Sequence, residues 1–83
     1  MAAERINSTR DKHSLVIDGH ATSITLEPEF WTQLQAIARA RGLSLAALVA
    51  EVDRSRMATQ TPRNLSAALR IYVLDFVLKA GRG

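Results

Sequence analysis

The chain contains no cysteine, which excludes disulfides and thiolate zinc sites as means of holding a small fold together. Glycine is sparse at four residues and proline sparser at two, and no glycine-rich phosphate loop can be built from them where they stand. Histidine occurs only at His13 and His20, and no serine lies in a nucleophile-elbow motif. No internal repeat or low-complexity segment is present. The N-terminal stretch MAAERINSTRDK has no apolar run, so no secretory signal is read there. No run of about 20 apolar residues exists to cross a membrane. Together these absences fit a bacterial-type cytoplasmic protein and leave little material for an active site.

What is present is a chain of 83 residues, 47% hydrophobic, with a net charge of +3. That length allows one domain at most, and a core of this size is marginal alone. Its apolar content is better explained by a core shared between copies than by a self-sufficient monomer. Arginine outnumbers lysine nine to two, which suits phosphate and base-edge contacts because the guanidinium fork engages two acceptors together. Eight acidic residues offset the 11 basic ones, so this is not a histone-like polycation.

Residues 1–12 are polar, of mixed charge, and read as a mobile arm. Leu15-Val16-Ile17 runs into Asp18-Gly19, a two-residue hairpin signal. Thr22 to Leu26 then alternates polar and apolar as a half-buried strand does. Ile24 and Leu26 are expected to face inward, Ser23 and Thr25 outward. This strand's unpaired backbone groups need another strand, most cheaply from a second copy of the chain. If residues 14–17 fold back on 20–24 within one chain, the ribbon could be four-stranded, or its centre blocked. Glu27-Pro28-Glu29 opens a helix, because proline fits the first turn and acids favour its positive end. Phe30, Leu34, Ile37 and Ala38 make its apolar face, with Trp31 beside them, and Gly42 is the expected left-handed stop. Ser44 is the expected N-cap of a second helix with an inner stripe of Leu45, Leu48, Val49 and Val52. Residues 53–63 read as a polar connection. A third helix, from about Asn64 or Leu65 to just before Gly81, is apolar nearly all round and is expected to be buried on more than one side.

Few of these residues suggest catalysis. His13 and His20 flank the hairpin and, with Asp18, could hold a metal, but closed sites usually need three or four ligands, and surface histidines are the plainer reading. The chain is therefore read as non-enzymatic, with no catalytic residue, metal or cofactor. Trp31 could stack a base, yet positions 31, 34 and 38 share a helix face, which favours a core or interface anchor. Arg54 and Arg56 are expected to pair with Glu51 and Asp53, with a phosphate role open for Arg56. Arg70 is expected to pair with Asp75 or with a carboxylate of another chain.

The segments SITLEPEFWTQL and RGLSLAALV resemble the strand, first helix, inter-helix turn and second helix of the ribbon-helix-helix family of bacterial DNA-binding proteins. The resemblance covers about residues 20–56. KHS, IDGH and NLSAALR with its following helix look like a subgroup carrying an extra C-terminal helix. It implies a mainly α fold: an intertwined homodimer with an intermolecular antiparallel β-ribbon, a ribbon-helix-helix domain over 13–58, and a connection and C-terminal helix over 59–83. It further implies a DNA-binding, repressor-type transcription regulator. Base-facing residues would be Ala21, Ser23 and Thr25, and a phosphate would sit on Ser44, Leu45 and Ala46. Arg10 and Lys12 beside the ribbon would add phosphate contacts, an ordinary solvated tail being the alternative for these two. The dimer core would comprise Ile24, Leu26, Phe30, Trp31, Leu34, Leu48, Val49 and Val52. Serine and threonine make only single contacts to bases, where relatives place long polar or basic side chains. The rival reading is therefore a dimeric interaction module that offers its apolar C-terminal helix to a protein partner.

Overall fold

The computed structural model describes residues 11–59 and 64–81. The elements run β1 (Asp11–Ile17), β2 (His20–Leu26), α1 (Pro28–Arg41), α2 (Leu45–Ala58) and α3 (Leu65–Gly81). The architecture is mainly helical, with one two-stranded antiparallel hairpin ahead of three helices.

The hairpin follows from its turn. Asp18 and Gly19 take φ values of 50° and 82°, the mirror-image two-residue turn whose twist matches that of the flanking strands. The turn sets the register from Ile17↔His20 to Asp11↔Leu26. The strand ahead of α1 is therefore not alone. Its own chain supplies a partner along one edge, and the need for a second copy applies only to edges left over. Asp11 and Lys12, read from sequence as part of the arm, instead open β1, because Leu26 and Thr25 stand opposite them. Alternation places Ile17, Ile24 and Leu26 in the core, and Lys12, Ser14, Val16, Ala21 and Ser23 on the exposed face.

Pro28 enters α1 at its first turn. Gly42, at φ 71°, ends it. The Leu43 N–H donates to the Ala38 carbonyl oxygen at 2.9 Å and the Gly42 N–H to that of Arg39 at 3.1 Å, the double closure that a left-handed residue permits. Ser44 then caps α2, its Oγ accepting from the Ala47 N–H at 3.0 Å. α2 runs to Ala58, well past the point where a polar connection was expected to begin. Residues 53–56 are polar because they border solvent, not because the helix has stopped. Arg56 pairs with Asp53 one turn back at 2.6 Å. Asn64 caps α3 by accepting from the Ala67 N–H at 2.8 Å.

Ile24, Leu26, Leu34, Leu48, Val49 and Leu69 are the largest fully enclosed side chains. Each contributes about 1.5–3 kcal/mol by leaving water. Ile24, Leu26, Leu34, Leu48, Val49 and Val52 thus form a core within one chain, with Phe30 and Trp31 half-buried against it. α3 departs from expectation. Leu69 and Val73 are buried, but Ile71, Leu74, Val77 and Leu78 on its other sides are 39–57% exposed. The helix is covered along one side within the chain.

Ion pairs fasten the elements together. Arg41, at the end of α1, contacts Glu51 of α2 at 2.6 Å and the Tyr72 hydroxyl of α3 at 3.1 Å. Arg70 of α3 reaches Glu27 at 2.9 Å, not Asp75. Arg54 reaches Asp18 in the hairpin turn at 3.2 Å, not Glu51. Among the described residues, no helix is long and apolar enough to cross a membrane.

Candidate nucleic-acid interface

The outward face of the hairpin is made of three cross-strand pairs: Lys12↔Thr25, Ser14↔Ser23 and Val16↔Ala21. Thr25 is half-buried and the other five are exposed, with Val16 open to 65%. No acidic side chain lies among these six. The face carries one cation, three hydroxyls and two small apolar groups, each able to meet a phosphate, a base edge or a thymine methyl respectively. Ala21, Ser23 and Thr25 were the outward residues expected from sequence. Lys12 now stands in the same patch, while Ser14 and Val16 were missed. The signal that could have found these two was the Asp18-Gly19 turn, which fixes the register once both strands are accepted.

The second surface is the start of α2. Ser44 is exposed, and Leu45 and Ala46 are half-buried. The Ala47 N–H is taken by the Ser44 hydroxyl oxygen, and the Leu48 N–H by the Ser44 carbonyl oxygen at 3.0 Å. The Leu45 and Ala46 N–H groups remain at the positive end of the helix, and the Ser44 hydroxyl keeps its proton to donate. Arg39 is exposed in the last turn of α1, three residues before the Gly42 stop, and adds a cation to the corner between the helices. Arg10 lies outside the described residues.

Other candidates are assigned elsewhere. His13 stacks flat on Trp31, with ring centroids 3.6 Å apart and planes 2° from parallel. That face of the indole is thereby closed to a base. The His13 Nε2 atom is buried without a hydrogen-bond partner. His13 sits opposite Ile24 and His20 opposite Ile17, so the two imidazoles do not face each other. No group of three His, Cys, Asp or Glu side chains that could hold a metal occurs among the described residues. Arg54 and Arg56 are engaged with Asp18 and Asp53. Hydrogen bonding from Arg41 holds the Glu51 carboxyl below its ordinary value of 4.5, and the same bond, with that to Tyr72, holds the Arg41 guanidinium above its own.

A family model described as a ribbon-helix-helix domain matches residues 10–77, from the hairpin to most of α3. Among solved structures, the chain is similar to an uncharacterized protein from Bordetella pertussis Tohama I, with 28% identity and a TM-score of 0.72. That similarity covers 98% of this chain and 70% of the other. No curated protein matches.

Proposed function

Because this chain belongs to the ribbon-helix-helix domain family, we propose that it is a DNA-binding transcription regulator of repressor type, acting as a homodimer in the bacterial cytoplasm. The observation that carries this reading is the open, acid-free outward face of the hairpin, with Lys12, Ser14, Ser23 and Thr25 on it. The major groove of B-DNA is about 12 Å wide and admits a two-stranded ribbon. Within it, Ser23 and Thr25 would make single hydrogen bonds to base edges, Ala21 would touch a thymine methyl, and Lys12 would neutralise a phosphate. The Leu45 and Ala46 N–H groups and the Ser44 hydroxyl would hold a second phosphate and fix the ribbon's depth. Side chains this short discriminate bases weakly, so selectivity would draw on duplex shape and on the spacing of the two protomers. No group on these surfaces is arranged for catalysis, and no cofactor is called for.

Titrating salt against binding to short duplexes from the region upstream of the gene tests this. Affinity should fall linearly on a log–log plot, with a slope set by the phosphates contacted. An intact dimer that binds no duplex at low salt refutes it. The exposed Ile71, Leu74 and Leu78 favour a second reading, in which α3 docks a protein partner. Light scattering separates the two, since a clean dimer that binds DNA with no added protein needs no such partner.

A further inference from the structure

We infer that α3 pairs with α3 of a second copy as a short parallel coiled coil, with Ile71, Leu74 and Leu78 in the seam, and so links one dimer to the next. The pairing stands on α3 itself, and only what it links rests on the dimer reading above. Leu69 and Val73 fix the side of the helix that faces the core. On the opposite side stand Ala67, Ile71, Leu74 and Leu78, spaced four, three and four residues apart. That is the spacing of a coiled-coil seam, with Ile71 and Leu78 at its a positions and Ala67 and Leu74 at its d positions. Ile71, Leu74 and Leu78 are 39%, 53% and 57% exposed, so this side of the helix lies open to solvent. The seam runs about 17 Å along the helix at about 1.5 Å per residue.

The seam is self-complementary in both shape and charge. A β-branched residue at a with leucine at d favours two parallel strands, and Ile71 and Leu74 supply that combination at the centre. Arg70 falls at g and Asp75 at the following e, the two positions that meet across a parallel pair. Two-fold symmetry makes the contact twice, Arg70 of each copy to Asp75 of the other. The bond from Arg70 to Glu27 at 2.9 Å uses Nε, which leaves both terminal amino groups to donate across the seam. Asp75 is exposed, and no hydrogen bond or ion pair engages its carboxylate among the described residues. An antiparallel pair would set g beside g and e beside e. Arg70 would then meet Val77 and Asp75 would meet Ala68, with neither charge answered.

A free peptide spanning only this seam would be a marginal helix in water. Here α3 is already seated on the core through Leu69 and Val73 and capped by Asn64, so pairing has little left to order. Neither the hairpin face nor the start of α2 contributes a residue to the seam, and both stay free for DNA while the helices pair.

Light scattering of the full chain against protein concentration tests the pairing. The wild type should climb from the dimer mass to at least twice that mass, and L74E should stay a dimer throughout. D75K sets a cation against Arg70 of the other copy. Because Asp75 has no partner in its own chain, this variant should lose the association with its melting temperature unchanged. D75K assembly equal to that of the wild type overturns the inference. With no native cysteine, L74C reports the direction, since d meets d in a parallel pair within reach of a disulfide. Oxidised alone, it should cross-link to itself. A cross-link that forms only when L74C is mixed with I71C marks an antiparallel pair and refutes the parallel one. A wild type that remains a dimer at every concentration, with L74C uncross-linked, overturns this inference and leaves the dimer reading standing. A monomeric L74E places the seam inside the dimer and refutes the link between dimers. A wild type that is monomeric throughout overturns both.

Discussion

Replacing Ser66 with alanine removes the acceptor for the Thr25 N–H without creating a cavity of any size. The bond spans 41 residues of sequence, is part-buried, and measures 3.2 Å. A neutral hydrogen bond of this kind contributes about 0.5–1.5 kcal/mol net. Alanine recovers up to about 0.5 kcal/mol through its higher helix propensity. The expected net loss therefore lies between about zero and 1.5 kcal/mol, a fall in melting temperature of at most roughly 12 °C for a domain of this size. Global stability alone does not identify the bond, so the deciding assay is amide hydrogen exchange at Thr25. Loss of the bond should speed its exchange about fivefold, equivalent to about 1 kcal/mol. Ile24 and Leu26, bonded within the hairpin, should lag behind. Ser44→Ala is the matched control. It deletes the α2 cap at a cost of about 0.5–2 kcal/mol, with no contact to Thr25. If Thr25 exchanges no faster in S66A than in S44A, Ser66 does not seat α3 on β2.

Leu34→Ala and Leu48→Ala, both at fully enclosed positions, should each cost about 2–5 kcal/mol in urea denaturation. Gly42→Ala meets no steric obstacle but forces a side chain into φ 71°, so thermal melts should show a loss of about 1–2 kcal/mol. The Glu51 carboxyl should titrate below 4.5 by NMR and return toward that value in Arg41→Met. Since its folded value is the lower one, the Arg41–Glu51 pair stabilises the fold above pH 4.5 and loses this effect as pH falls through the depressed value. Lys12→Ala should weaken DNA binding across all sequences and reduce the salt slope by about one per protomer.

Much of the fold was legible because its signals are local. Asp18-Gly19, Pro28, Gly42 and Ser44 each fix a boundary by constraining backbone within two or three residues. The alternation of Ser23, Ile24, Thr25 and Leu26 likewise set which strand face is buried. Legibility failed where a polar residue has two plausible reasons to be polar. Asp53 to Arg56 looked like a linker but is a solvated stretch of α2, joined by an i,i+3 ion pair. Of the candidate interface, Ser23 and Thr25 could be placed by periodicity, and Ala21 by the family resemblance. Ser14 and Val16 could not be placed until β1 was known to form.

The sequence by itself determined the order of the elements, the caps and turns that separate them, and the residues that line the core, since each is encoded over a few neighbouring positions. The tertiary structure decided the rest. Arg54 to Asp18, Thr25 to Ser66 and Arg70 to Glu27 join residues 36, 41 and 43 positions apart, and His13 found Trp31 rather than His20. These partnerships depend on how α1, α2 and α3 pack against the hairpin, a geometry set by the volumes of the whole core and by no short-range signal. That packing seats α3 on β2, where Ser66 meets Thr25.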